Sequence, residues 1–311
     1  MEALAEPPQA SPAQAAPQPA SQPVPWTAIG WFSFLLITAF FPILRKLVDQ
    51  WWTDDDVSHG FFVPIVACYI AWQRRDELVK LQAKPAWIGA VLMAWAGLQA
   101  FIGMMGAELF LQRTAFLEAL VGLLLVMGGW ALIRALLFPL LLLPFMIPIP
   151  TVIYNQITFP LQLFASRVAE FSLDLLGIPV LRDGNILELA SQPLSVAEAC
   201  SGIRSLLTLT FLSLVYAYVF DKKTWMRWAL LFCTIPIAII ANAGRVTITG
   251  ILSEIDTELA KGTFHTMEGW VIFAIAFAML ALTHLGINFL CKLRQDLKKP
   301  AGPEADEEAI A

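Results

Sequence analysis

The 311-residue chain is 58% hydrophobic, only 14% charged, and has a mean hydropathy of +0.68. A soluble domain carries about 25% charged residues, and several apolar runs here reach the roughly 20 residues that cross a bilayer. Composition therefore excludes an ordinary soluble globular protein, and a net charge of −5 without a basic face excludes nucleic-acid binding.

Four cysteines, at 68, 200, 233 and 291, include no CxxC pair and no neighbouring histidine cluster. Neither a disulfide framework nor a metal site is expected, and no cofactor is implied. Cys200 alone stands in a polar context.

Residues 1–25, rich in Pro, Ala and Gln, read as a disordered tail. They lack the basic start of a cleaved signal peptide, so the first apolar run is expected to stay in the protein. Eight spans are expected within 26–291. They run at about 26–44, from His59-Gly60 to Gln73, 87–105, 115–133, 135–153, 201–220, 228–250 and 267–290. An acidic loop, Asp49 to Asp56, follows the first span. Pro139, Pro144, Pro148 and Pro150 predict a kinked or broken fifth span, and Asn242-Ala243-Gly244-Arg245 a break in the seventh.

Between the fifth and sixth spans the pattern changes. Gln162, Ser166, Glu170 and Asp174 recur every four residues against an apolar opposite side, which predicts an amphipathic helix over 155–177 lying in the membrane interface. Residues 178–198 turn polar. Arg182-Asp183-Gly184-Asn185, between Val180-Leu181 and Ile186-Leu187, predicts a small hairpin-like extracytoplasmic cap. Residues 292–311 read as a charged cytoplasmic tail. The fold class expected is thus an all-α polytopic membrane protein of about eight transmembrane helices, with one interfacial helix and a hairpin-like cap.

Charge sets the orientation. With eight crossings, Arg74/Arg75/Lys80/Lys84, Arg134, Lys222/Lys223/Arg227 and Lys292/Arg294/Lys298/Lys299 share one side, which the positive-inside rule makes cytoplasmic. Only Arg45-Lys46 dissents. Both termini are then cytoplasmic, and Cys200, Arg245 and His265 arrive from three consecutive spans at the same outer depth.

That trio has a chemistry. A cysteine at the start of a helix meets free N–H groups and the positive end of the helix dipole, both of which favour thiolate, and Arg204 one turn on adds positive charge. An imidazole can take the thiol proton and return one to a leaving amine. Arginine can hold a developing oxyanion without deprotonating. Plainer readings stand beside these. Cys200 and Arg204 can be a small buried thiol and a snorkelling cation, His265 a helix-capping residue, and Arg245 a bridge to Glu254 or Glu268. Asn242 can satisfy backbone near Gly244, and His59 can be packing or a headgroup contact.

The residues resemble the exosortase/archaeosortase family of integral-membrane cysteine transpeptidases. Carrying the resemblance are Val57-Ser58-His59-Gly60 with Pro64, Ala199-Cys200-Ser201-Gly202-Ile203-Arg204, Asn242-Ala243-Gly244-Arg245, and His265 with Gly269, in this order over roughly residues 30–290. The Cys200 block is specific; the others are short. Val57 departs from the aromatic residue common before Ser-His-Gly. The resemblance implies Cys200 as nucleophile, Arg245 as essential arginine and His265 as acid/base, with Arg204, Asn242, Glu198 and His59 supporting or binding substrate. It implies exported partner proteins bearing a C-terminal sorting helix with a Pro-Glu-Pro-type motif, membrane lipid as surroundings, and a bacterial inner-membrane location with the site facing the periplasm. Cleavage would run through a thioester, and the new C-terminus would pass to a membrane or surface acceptor. Two other classes remain: a polytopic transporter or channel lined by Arg245, Arg204 and Glu198, and an enzyme acting on a lipid-linked sugar.

Overall fold

The computed structural model describes residues 22–196, 202–221, 223–256 and 262–296, with backbone alone at 55, 202–205, 262–268 and 295–296. The chain divides into two compact units, 1–44 with 66–141, and 45–65 with 142–311.

The first unit opens with a two-residue strand β1 (Gln22–Pro23), paired antiparallel with β2 (Gln82–Ala83). Most of the tail expected over 1–25 lies outside the described residues, but its last part is tied down, and Val24 is buried. Helix α1 (Trp26–Ala39) ends at Phe40, and α2 (Phe41–Thr53) continues the chain. The first expected span is therefore a bent pair, and Asp49 belongs to a helix rather than to a loop. Helices α3 (Phe62–Gln73) and α4 (Arg75–Leu78) lead to a hairpin of two long helices, α5 (Ile88–Met105) and α6 (Leu109–Ala135). Glu108 caps α6 by accepting the Leu111 N–H at 2.8 Å. Gln99 ties the hairpin together by donating to the Leu111 carbonyl and the Thr114 hydroxyl. The core here gathers Leu124, Leu125, Leu132 and Ile133 of α6 with Val24, Ile29 and Leu78.

In the second unit, α7 (Leu137–Leu142, beginning in the first unit) and a 3₁₀ turn, Leu143–Met146, precede α8 (Thr151–Leu175). The four prolines noted above fall in or beside this break, as expected of residues that withhold an N–H and clash with the preceding turn. A three-stranded antiparallel sheet follows, β3 (Val180–Asp183), β4 (Ile186–Leu189) and β5 (Pro193–Ser195). Its turn carries Gly184 at φ 63°, a left-handed conformation that glycine adopts without a Cβ penalty.

The sheet explains the polar stripe on α8. Asn185 donates to Gln162 Oε1 at 3.1 Å, Ser166 donates to the Gly184 carbonyl at 3.1 Å, and Arg182 pairs with Glu170 at 2.6 Å. Three stripe residues thus serve the β3–β4 turn rather than water or headgroups. Beneath them Ala165, Ala169 and Leu173 pack with Leu187, Leu194 and Val196 of the sheet region and with Ala243 and Val246.

Three helices complete the unit: α9 (Gly202–Phe220), α10 (Thr224–Ile255) and α11 (Gly262–Asp296). They share a core of Leu209, Ala217, Met226, Leu230, Ala238, Ala276 and Leu280. Helix α10 runs unbroken through Asn242–Arg245, so the break expected there does not occur. One glycine in a helix interior costs only about 0.5–1 kcal/mol, which packing readily overrides.

Large apolar side chains cover the outside of both units, among them Trp95, Phe101, Phe232 and Phe289. Among the described residues four helices are long and apolar enough to cross a membrane: Ile88–Met105, Leu109–Ala135, Thr224–Ile255 and Gly269–Arg294. The bent pairs Trp26–Ala39 with Phe41–Thr53 and Leu137–Met146 with Thr151–Leu175 raise the number to six if each is one span. The chain is a polytopic, mostly helical membrane protein. Among the described residues the candidate spans number four to six against the eight expected: α3 stops after 12 residues, and the described apolar part of α9 is Leu206–Phe220.

Candidate active site

Arg245 anchors the site. It lies on α10 one turn after Asn242, and the three-residue spacing puts both on one helix face. Asn242 is buried. The Arg245 guanidinium reaches α11 at Gly269, where an added Cβ would stand 3.2 Å from Nη2 and 3.4 Å from Cζ. Gly269 therefore leaves the space that the guanidinium group fills. Around this contact is a small hollow between three helices, lined by Leu209 on α9, Asn242 and Arg245 on α10, and Gly269 and Phe273 on α11. A second small hollow meets Asn242 from α8 and α9 through Leu161 and Leu206. Asn242 lines both hollows, and Arg245 lines one of them.

The other expected residues relate to this centre through the backbone. Cys200 and Glu198 lie outside the described residues. Val196, fully buried, packs in one cluster with Ala243 and Val246, on either side of Arg245 in sequence. The chain resumes at Gly202 on α9, and α9 delivers Leu206 and Leu209 to the two hollows. The residues flanking Cys200 in sequence are thus held against the Asn242–Arg245 segment. Arg204 lies on the first turns of α9, and His265 on α11 one turn before Gly269; only their backbone is described.

The cap is tied to the same region. The Ser191 N–H donates to Glu254 Oε1 at 3.0 Å, and Gln192 donates to the Ser253 hydroxyl at 3.4 Å. Glu254, considered above as an Arg245 partner, thus engages the cap.

His59 occupies a different place from the headgroup contact considered for it. It sits in a 3₁₀ turn, Asp55–Phe61, and is 8% exposed. Asp54 opens that turn by accepting the Asp56 N–H at 2.9 Å, and Tyr154 donates to Asp56 at 3.1 Å. Trp51 lies over Gly60 so closely that a Cβ there would collide with the indole, while Nε1 donates to the Met146 carbonyl at 2.9 Å. Phe145, beside His59, stacks its ring on Phe211 of α9 at 6.1 Å. Burial pushes the His59 pKa below its ordinary value. The Phe145 and Asp56 backbones pull it back up, although neither ring nitrogen has a partner in hydrogen-bonding geometry among the described residues. His59 packs within the unit, at the Phe211 level of α9. Phe211 lies nine residues beyond Gly202 (roughly 13 Å along the helix axis), so this is not the Cys200 end.

The family model described as Transmembrane exosortase (Exosortase_EpsH) matches residues 51–282. The chain belongs to the transmembrane exosortase family. Members of this family are generally transpeptidases. No curated protein and no solved structure matches the chain.

Proposed function

We propose that this exosortase is a cysteine transpeptidase that removes the C-terminal sorting signal of exported proteins of the PEP-CTERM type. The observation that carries the reading is the Arg245–Gly269 contact, with Val196 packed against Ala243 and Val246 and Leu209 of α9 lining the same hollow, on either side of Cys200 in sequence. In this reading the Cys200 thiolate adds to the scissile carbonyl and Arg245 donates hydrogen bonds to the oxyanion. Collapse breaks the peptide C–N bond, His265 gives its proton to the leaving amine, and a thioester remains on Cys200. An amine or hydroxyl on a membrane-associated acceptor then takes the acyl group, losing its proton to His265 as the Cys200 thiolate leaves, which restores the starting pair. Asn242, Arg204 and Glu198 support or bind the substrate chain near its motif, and His59 holds the 3₁₀ turn against α9. The substrate's single helix approaches from the lipid, and the chemistry takes place at the periplasmic face of a bacterial inner membrane, with both termini cytoplasmic.

A transport path would need polar groups running between the Arg245 hollow and the far end of α11. The stretch between them is the apolar core around Phe273, Ala276 and Leu280, so nothing in the packing favours that reading.

The test is intact-mass analysis of an exported protein with a Pro-Glu-Pro-type signal, co-expressed with wild type, Cys200→Ala, Arg245→Ala or His265→Ala. Shortened substrate with wild type alone, and a thioester adduct on Cys200, is expected. Cleavage that survives Cys200→Ala refutes the scheme.

A further inference from the structure

Toward the far end of α9, α10 and α11 from Arg245 lies a second buried polar cluster that the proposed chemistry leaves unused. His284 of α11 is 6% exposed and Asp221, in the α9–α10 connection, is 8% exposed. Their side chains meet at 3.1 Å, His284 Nε2 to Asp221 Oδ2. On the other ring nitrogen, Nδ1 lies 3.0 Å from the Tyr216 hydroxyl of α9. With Nε2–H donating to Asp221, both ring nitrogens have partners, because the Tyr216 hydroxyl can donate to a bare Nδ1 or accept from a protonated one. Asn288, a turn further along α11, lies 2.8 Å from Nε2, and with its amide turned it presents its oxygen to that N–H. The second carboxylate oxygen of Asp221 accepts the Lys223 N–H at 2.7 Å, and its carbonyl accepts from Arg227 Nε at 2.9 Å. The Tyr216 ring is wedged among Phe220, Phe277 and His284.

His284 lies within the α11 span and Asp221 in the connection at its end; burying two ionisable groups there is costly unless they are paired. Between this cluster and the Arg245–Gly269 contact, the core that α10 shares with α11 is built of apolar side chains such as Leu230, Ala238, Ala276 and Leu280. Such packing is non-directional: a helix can slide by a turn, about 5.4 Å, and still bury a similar surface. Directional hydrogen bonds penalise that slide, and fixing register is the best-attested use of buried polar groups. The axial position of α11 matters because Gly269, 15 residues before His284 and so about 22 Å away along the axis, must lie opposite Arg245.

We propose that Tyr216, Asp221 and His284 form a register lock that sets the height of α11 against α10, and with it the Arg245–Gly269 contact and the depth of His265. His284 is a positioning residue; it touches none of the reacting groups. The link to His265 rests on the transpeptidase reading, whereas the link to register does not.

Cysteine cross-linking in membranes reads the register directly. In full-length protein with Cys68, Cys200, Cys233 and Cys291 replaced by serine, Ala241→Cys on α10 is paired with Ile272→Cys or with Ala276→Cys, one turn apart on α11. Oxidation gives a rate for each pair. The ratio of the two rates should change at least threefold in His284→Leu and in Asp221→Leu. It should return to its starting value in His284→Gln, whose amide can donate to Asp221 and accept from Tyr216. An unchanged ratio in membrane-inserted His284→Leu overturns the proposal. If that variant fails to insert, Tyr216→Phe decides instead, since it removes one bond without burying an unpaired charge; an unchanged ratio there is equally fatal. In the chain with its native cysteines, His284→Leu should lower kcat for sorting-signal cleavage about tenfold with KM unchanged, and His284→Gln should restore it. A wild-type chain that cleaves no sorting signal would defeat the transpeptidase reading alone, since the cross-linking ratio needs no substrate.

Discussion

Gly269 offers a substitution in which stability and activity should move in opposite directions. A Cβ there would stand 3.2 Å from Arg245 Nη2 and 3.4 Å from Cζ, so Gly269→Ala requires the guanidinium to retreat by a few tenths of an ångström. The end of an arginine side chain can give that much. Alanine in place of glycine in a helix interior favours the helix by about 0.5–1 kcal/mol, so the variant should melt at the wild-type temperature or slightly above it. A leucine reaches further, and its added carbons occupy the place of the guanidinium itself, displacing it by more than about 1 Å. Misplacing a group that holds the oxyanion by such a distance costs about 10²-fold in rate, or close to 3 kcal/mol of transition-state stabilisation. The expected series for sorting-signal cleavage is therefore wild type, then Gly269→Ala several-fold lower, then Gly269→Leu about 100-fold lower, with folded protein in every case. The assay is quantitative mass spectrometry of substrate shortening beside thermal unfolding in detergent. Full activity in a folded Gly269→Leu would mean that the Arg245–Gly269 contact has no part in catalysis.

Other expectations concern the framework. Gly60→Ala would drive a Cβ into the Trp51 indole, and overpacking of this kind costs about 1–3 kcal/mol; thermal melting should fall, and the drop caused by Gly60→Ala should be smaller in a Trp51→Ala background. Burial works against charge on Asp221, but the Lys223 N–H and the bond and charge of His284, with the charge of Lys223, outweigh it and hold its carboxyl below the usual range. A depressed folded pKa contributes stability that is in place above the unfolded value, about 3.9, and is lost as pH falls through the folded value. Melting measured from pH 6 downward should therefore drop more steeply on the acid side in wild type than in Asp221→Asn. The Arg182–Glu170 pair is about a quarter to a third exposed, and a double-mutant cycle should return a coupling of no more than about 1 kcal/mol. Much larger coupling would mean that the β3–β4 turn and α8 fold as one inseparable piece.

Local patterns were legible wherever one period or one residue type decides the outcome. The turn at Gly184 is one, since Asp-Gly-Asn between apolar pairs has few alternatives to a tight reversal. The break before α8 is another, forced by prolines that cannot continue a helix. The Ala199-to-Arg204 block carried the family, because a cysteine and an arginine one turn apart at a helix start is a rare conjunction in an apolar chain. What composition could not give was the continuity of elements. The run 26–44 is uniformly apolar, yet the chain bends at Phe40 and resumes as α2, in which Leu47 and Trp51 are buried while Arg45 and Lys46 are exposed. Hydropathy averages across such a bend, and so counts a span where the backbone has already turned.

The α8 stripe and the His284 cluster show a more general limit. Periodicity reveals that Gln162, Ser166 and Glu170 share a face, but water, headgroups and a neighbouring β-turn all satisfy the same hydrogen bonds. Only the 23 residues between Gln162 and Asn185 decide among them, and that separation is set by the hairpin, not by the helix. In the same way His284 reads as an isolated polar residue deep in an apolar run, because Asp221 lies 63 positions away. A membrane helix keeps a buried histidine only when something pays its desolvation, so an intramembrane histidine is itself a pointer to an unseen acidic partner. Asp221, following directly on an apolar run at the turn into α10, was the available candidate. Testing each such residue against the acids at the ends of neighbouring spans would have found the pair from sequence alone.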